Sequence, residues 1–146
     1  MEISEKHLGK ILVEMGLVTP QQLEDALVEQ RRTKEFLGSI FLRKRQLKER
    51  DLLEALSKKF KIPVASIKDR YIDWEFVKQF NSSLIFEHKC LPLQGDDVSI
   101  TLAIINPLDV WMLKKAEEES GGLKLKFVLV PAREMEEALE RYRKYL

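Results

Sequence analysis

Few side chains in this sequence are able to do covalent or metal chemistry. There are two histidines, His7 and His88, and one cysteine, Cys90. His88 and Cys90 stand two apart on an expected strand and so share a face. Two ligands do not make a metal site, and the pair reads as an ordinary strand pair near the surface. A dyad of His7 and Cys90 would need a third group to orient the histidine, and the sequence presents none. The acids Glu117, Glu118, Glu119, Glu134, Glu136 and Glu137 fall on expected helices, where they read as a solvated face. The six glycines are Gly9, Gly16, Gly38, Gly95, Gly121 and Gly122, and none lies in GxxxxGK[ST] or GxGxxG. Without a phosphate-cradling loop, the sequence argues against nucleotide hydrolysis by this chain alone. The reading is a binding and docking module, not an enzyme, with no catalytic residue, metal or resident cofactor.

Composition is consistent with that. With 146 residues, 45% apolar and 34% charged, the chain has room for one ordinary domain or two small subdomains of a soluble globular protein. No apolar run approaches the roughly 18–20 residues of a membrane span, so no direct membrane insertion is expected. The opening MEISEKHLGK lacks the apolar core of a secretory signal. A single cysteine allows no internal disulfide and fits a reducing compartment, so the expected location is the cytoplasm. The net charge of +1 hides a basic stretch: residues 31–61 hold 11 basic and 4 acidic side chains. Such a stretch attracts an anionic partner or forms a solvated lysine-rich surface. Nucleic acid is not expected, because these charges spread over two helices and a spacer instead of lining one recognition helix.

The elements that would carry these residues include a duplication. A single constant offset brings Leu8-Gly9 onto Leu37-Gly38, Ile11 onto Ile40, and Leu23, Ala26 and Leu27 onto Leu52, Ala55 and Leu56. Each copy reads as two short helices. Leu8, Ile11, Leu12 and Met15 recur at helical spacing, with Gly16 placed as the left-handed residue that ends the helix. Thr19-Pro20-Gln21-Gln22 has the form of a capping box with proline at the first helical position. In the second copy Lys48 replaces the cap and Arg45 the glycine, so that helix ending is expected to be less well specified. Short helices are marginal alone, so four of them should form a bundle. Gly9 and Gly38 mark places where the backbone closely approaches a neighbouring helix or a ligand.

From Tyr71 the pattern changes. Asp73 is placed to cap a short helix carrying Trp74, Val77 and Phe80. Residues 89–94 and 98–105 read as a hairpin through Gly95-Asp96-Asp97, followed by a helix over 109–119, a strand over 124–130 and a helix over 132–145. Strand–helix–strand implies a right-handed crossover and a parallel pair. The expected fold class is α+β: a bundle of four short helices, then a small α/β sandwich with a mixed three-stranded sheet. The expected divisions are a duplicated helical subdomain over 1–61 (repeats 7–30 and 36–59), a linker over 62–71, and an α/β subdomain over 72–146. Val110, Trp111, Met112 and Leu113 form too wide a stripe for one buried face, so Trp111 either meets a partner or packs under the linker.

The pattern [R/H]-L-G-x-x-L-V-x-x-G, then a capped helix ending L-x-x-x-L-x-x-Q, occurs twice with a spacer from Arg31 to Glu35. It resembles the N-terminal domain of type II secretion and type IV pilus assembly ATPases. The stretch Leu102-Ala103-Ile104-Ile105-Asn106-Pro107-Leu108-Asp109 is similar to that family's A-x-A-D-P-x-D signature, with Asn106 in place of the acid. The family's motor domain, with its Walker motifs, is missing from this chain. The resemblance implies docking on the cytoplasmic part of an inner-membrane assembly protein, a motor ATPase domain in cis or trans, and recruitment to the inner membrane through that partner.

In a subset of the family the paired motifs bind cyclic di-GMP, each copy gripping half of the dinucleotide. The first copy here matches throughout, at His7, Leu8, Gly9, Leu12, Val13, Gly16, Leu23, Leu27 and Gln30. In the second, Leu37 and Gly38 match, but Phe36 stands where Arg or His is expected, Arg45 where glycine is, and Lys59 where glutamine is. The resemblance thus makes His7, Leu8, Gly9, Leu12, Gln30, Phe36, Leu37, Gly38, Arg45, Lys59 and Asn106 the candidate contacts for that ligand. Phe36 is suited to stacking on a base, and Arg45 and Lys59 to supplying the missing charge.

Overall fold

The computed structural model describes residues 5–146, with side chains from His7 onward. The chain divides into two compact units, Met1–Ala55 and Leu56–Leu146.

The first unit is built on the duplicated helices. Helix α1 spans Glu5–Glu14, α2 Pro20–Thr33 and α3 Leu37–Arg43, while α4, Glu49–Phe60, begins in this unit. Gly16 ends the α1 segment at φ 73, with the Gly16 N–H on the Val13 carbonyl (2.9 Å) and the Leu17 N–H on the Leu12 carbonyl (3.0 Å). This pair of bonds is a Schellman closure, which satisfies carbonyls left over at a helix end. Thr19 then caps α2: its Oγ1 accepts the Gln22 N–H at 3.0 Å, and the Gln22 side chain accepts the Thr19 N–H at 2.9 Å.

The second copy repeats the closure at the equivalent positions. The Arg45 N–H reaches the Leu42 carbonyl (3.1 Å) and the Gln46 N–H the Phe41 carbonyl (2.9 Å), with Arg45 itself at φ 58. The expectation of a less specified ending is therefore corrected. Here arginine takes the left-handed conformation that glycine takes in the first copy, at a backbone cost of roughly 1–2 kcal/mol. At the start of α4 the Lys48 carbonyl accepts the N–H groups of Asp51 (3.0 Å) and Leu52 (3.1 Å), and the lysine side chain, unlike Thr19, offers no acceptor of its own. Leu8, Leu12, Ala26, Leu37, Ile40 and Phe41 are buried in this unit.

The second unit holds a three-stranded sheet in the order β1-β2-β3, with β1 at Leu91–Gly95, β2 at Ser99–Ile104 and β3 at Lys124–Leu129. Strands β1 and β2 are antiparallel, and β2 and β3 are parallel in register from Ser99 opposite Lys124 to Ile104 opposite Leu129. The hairpin turns on Asp96, whose Oδ1 accepts the N–H groups of Val98 (2.7 Å) and Ser99 (2.8 Å). The crossover is α7, Val110–Glu119, started by Asp109, whose Oδ1 accepts the Met112 N–H at 3.0 Å. Gly121 and Gly122, at φ 63 and 91, turn the chain back into β3.

Two single-turn helices, α5 (Trp74–Val77, capped by Asp73) and α6 (Ser82–Phe86, capped by Asn81), precede the sheet. The last helix, α8, spans Ala132–Tyr145. It threads Tyr142 between Trp74 and Phe86, both stacked at 5.4 Å, with Arg141 over the Trp74 ring and Arg143 over the Phe86 ring. The architecture is α+β, with eight helices and a mixed three-stranded sheet among the described residues.

Residues 63–65 run beside the end of β3. The Leu129 N–H donates to the Pro63 carbonyl and the Ala65 N–H to the Leu129 carbonyl, both at 2.8 Å. Glu134 at the start of α8 gathers the residues that follow. One of its oxygens accepts the Ser66 hydroxyl (2.8 Å) and the N–H groups of Ile67 (2.7 Å) and Lys68 (3.0 Å). Glu134 is therefore no solvated helix acid, and neither is Glu119, which accepts the Asn81 N–H at 2.6 Å. Helical periodicity cannot separate a charge facing water from one serving a distant loop.

Candidate functional site

The two Leu-Gly openings occupy equivalent places in the helix pairs. A β-carbon on Gly9 would stand 2.3 Å from Cδ1 of Leu23 and 3.2 Å from Cδ2 of Leu37. On Gly38 it would stand 2.8 Å from the Phe36 ring and 2.9 Å from Cδ2 of Leu52. Each glycine thus admits the leucine of the following helix of its own copy, Leu23 or Leu52. Of the two explanations for the close approach, a neighbouring helix is what meets each glycine here. Leu8, Leu12 and Leu37 are buried, while His7 and Arg45 are exposed and Phe36 is half-buried with its ring over Gly38.

Gln30 is engaged within the same unit. Its Nε2 donates to the Glu35 carbonyl at 3.0 Å, closing the spacer between the copies. Arg43 joins that closure by pairing with Glu29 and, at 2.9 Å, with Glu35. The Arg43 hydrogen bond holds the Glu29 carboxyl below the usual carboxylate range. Arg31, Arg32, Lys34, Lys44, Lys48 and Arg50 belong to the same unit and carry its basic surface. Of the candidate ligand contacts, His7, Leu8, Gly9, Leu12, Gln30, Phe36, Leu37, Gly38 and Arg45 belong to the first unit, and Lys59 and Asn106 to the second. Lys59 is exposed in the last turn of α4. Asn106 shapes the turn into α7, its Oδ1 accepting the Leu108 N–H at 2.9 Å.

A second constellation lies at the start of α7. His88 Nδ1 sits 2.6 Å from Asp109 Oδ2, and the His88 ring stacks on Trp111 with centroids 4.2 Å apart. Asp109 therefore caps the helix with one oxygen and holds the histidine with the other. Trp111 remains 45% exposed and Val110 53% exposed, so an aromatic ring of fixed orientation faces solvent beside an aliphatic side chain. The sequence marks Asp109 as a helix start and Trp111 as out of place. Nothing in spacing alone joins them to His88, which lies before the hairpin.

The structure also corrects the reading of His88 and Cys90 as a surface strand pair. Strand β1 begins at Leu91, and Cys90 is fully buried. Burial, with the Asp109 charge second, pushes its thiol up to about 12, far from thiolate chemistry at neutral pH. Among the described residues no three His, Cys, Asp or Glu side chains come together to hold a metal ion. No described helix is long and apolar enough to cross a membrane. A cleft of about 400 Å³ between Phe76, Phe80, Gly95 and Leu123 carries carboxylates of Asp96 and Glu119, both of which already accept backbone N–H groups.

Comparison with known proteins supplies the family. Residues 60–145 match the MshEN domain family, so the match falls on the α/β unit and the end of α4. Across 92% of the chain the sequence is 24% identical to the type IV pilus assembly ATPase PilB of Myxococcus xanthus, and across 83% it is 26% identical to PilB of Thermus thermophilus. The chain spans only 24% and 14% of the lengths of those two relatives. The structure of MshE with cdg (cyclic di-GMP) superposes with a TM-score of 0.75 at 25% identity, covering 92% of this chain and 97% of that one. The N-terminal domain of XpsE shares the fold, with a TM-score of 0.72 at 17% identity over 97% of this chain and 98% of that one. This chain belongs to the MshEN domain family and is homologous to the N-terminal domain of type II secretion and type IV pilus ATPases.

Proposed function

We propose that the chain is a non-catalytic docking and regulatory module of a type II secretion or type IV pilus assembly motor. In this reading it binds the cytoplasmic part of an inner-membrane assembly protein, and so works at the cytoplasmic face of the inner membrane. The motor ATPase domain acts with it in cis or in trans. The observation that supports the reading is the exposed Val110-Trp111 pair on α7, with Trp111 stacked on His88 and His88 held by Asp109. A large aromatic surface whose orientation is set before binding loses little entropy on association, which is the character of an interface anchor.

The test is calorimetry or pull-down with the cytoplasmic domain of the cognate membrane protein. Trp111→Ala should weaken binding at least about tenfold, equivalent to about 1.4 kcal/mol. His88→Ala, which frees the ring to rotate, should weaken it less. Equal binding by the parent and Trp111→Ala would rule out this surface.

A second reading, cyclic di-GMP binding through the paired motifs, is favoured by the likeness to MshE with cdg. The first copy keeps its whole pattern. In the second, the Phe36 ring covers Gly38 where an Arg or His is expected to face the ligand. Calorimetric titration with cyclic di-GMP decides the matter. Binding that weakens on Arg45→Glu or Lys59→Glu would support a repaired second half-site. A flat titration would remove the ligand from consideration for this chain.

A further inference from the structure

Strand β3 forms one edge of the sheet, and its pairing there stops early. In a ladder the N–H and C=O of alternate residues point to the same side. Leu129 turns both of its groups outward, to Pro63 and Ala65. Lys124 and Val130 turn theirs inward, their N–H groups reaching the Val98 and Ile104 carbonyls of the β2 side. By this alternation Leu125 and Phe127 point outward with Leu129.

The segment 63–65 cannot extend to cover them, for two reasons. With Val64 opposite Leu129 in parallel register, the next bond back would run from the amide of residue 63 to the Phe127 carbonyl. Residue 63 is a proline and has no N–H. Just before it, Lys61 sits at φ 56 and turns the chain out of the extended conformation. Among the described residues no hydrogen-bond partner meets the outward groups of Leu125 and Phe127.

The side chains along this open edge choose what can pair with it. Lys124 and Lys126 are exposed on one face, while Leu125 and Phe127 are half-buried on the other. Lysines on an edge strand oppose pairing with a second copy, because lysine would be set against lysine. The same lysines attract a strand of opposite charge, since cross-strand neighbours of opposite sign stabilise a pair. An acidic neighbour, Asp96, lies within electrostatic reach of Lys126 but is already occupied by two backbone N–H groups.

We infer that the outer edge of β3, from Lys124 to Phe127, is a docking site for an extended acidic segment of a partner protein, which adds to the sheet as a fourth strand. Main-chain bonds to Leu125 and Phe127 supply the pairing, and acids beside Lys124 and Lys126 supply the selectivity. The proposal uses none of the residues around Trp111 and does not rest on the docking reading above.

The test uses the whole chain and two synthetic peptides, one alternating valine with glutamate and the other valine with lysine, followed by amide hydrogen exchange. The glutamate peptide should slow exchange of the Leu125 and Phe127 amides by about tenfold or more. The Lys126 amide, which faces β2, should not change. The lysine peptide should have no effect on the parent, and in the K124E/K126E variant the preference should reverse. Leu125→Pro removes an outward donor without touching the β2 ladder and should abolish the protection. If that variant does not fold, the charge reversal still decides. Equal protection by both peptides, or by neither, overturns the proposal. So does protection already present in the free chain that disappears on dilution, since a second copy would then occupy the edge.

Discussion

The Cδ1 atom of Leu23 lies where a β-carbon on Gly9 would come within 2.3 Å of it, and Leu52 meets Gly38 in the same way at 2.9 Å. These are one contact written twice, once in each copy, and it makes each glycine a helix-packing position.

Gly9→Ala should therefore destabilise the first unit although alanine is the better helix former. Propensity returns about 1 kcal/mol at most. Overpacking against Leu23, with a methyl of the buried Leu37 also 3.2 Å from the added carbon, costs about 1–3 kcal/mol. A net loss of about 1 kcal/mol is expected in urea denaturation. Leu23→Ala opens the space, so the Gly9→Ala penalty should vanish in that background. A penalty that persists unchanged would mean the contact is not its source.

At Arg45 the direction reverses. The residue is exposed and held at φ 58, the conformation Gly16 adopts at φ 73. Arg45→Gly should stabilise the chain by up to about 1 kcal/mol, and Gly16→Ala should destabilise it by a similar amount. Thermal or urea melts of the two variants give the comparison. A loss on Arg45→Gly would mean the arginine side chain makes stabilising interactions exceeding its backbone strain.

Cys90 should resist thiol reagents in the native chain at neutral to mildly alkaline pH and react once the chain is denatured. Its thiol is raised by burial from 9.0 to about 12, so the unfolded chain loses that proton first. The native state then binds the extra proton between those values, and stability falls as pH rises through that window. The parent should show this alkaline loss more steeply than Cys90→Ala, which lacks the group. Identical slopes would show that Cys90 is not protected as described.

Glu134 works at the acid end. Burial raises its carboxyl, but the Ser66 hydroxyl and the Ile67 and Lys68 N–H groups outweigh burial and hold it below its usual value of 4.5. The stability it contributes is present above about that pH and is lost as pH falls through the lowered native value. Glu134→Gln should cost about 1–2 kcal/mol near neutrality. It should also speed amide exchange at Ile67 and Lys68 and remove part of the acid transition. Unchanged exchange at those two amides would show that the carboxylate is not what holds them.

Local features of the sequence determined a good deal. The capping box at Thr19, the left-handed Gly16, the caps at Asp73 and Asp109, and the strand–helix–strand order from Ser99 to Leu129 are short-range chemistry, and each is where its residues place it. The duplication was legible because packing repeats its contacts at a constant offset. What only the tertiary structure decided involves partners far apart in sequence. Glu134 serves Ser66–Lys68, Glu119 serves Asn81, and His88 is held between Asp109 and Trp111. The same is true of which β3 amides stay open, because a proline in another segment ends their pairing. Periodicity reports which face of an element is apolar. It carries no information on which distant group will meet a given charge, and that depends on how the chain closes on itself.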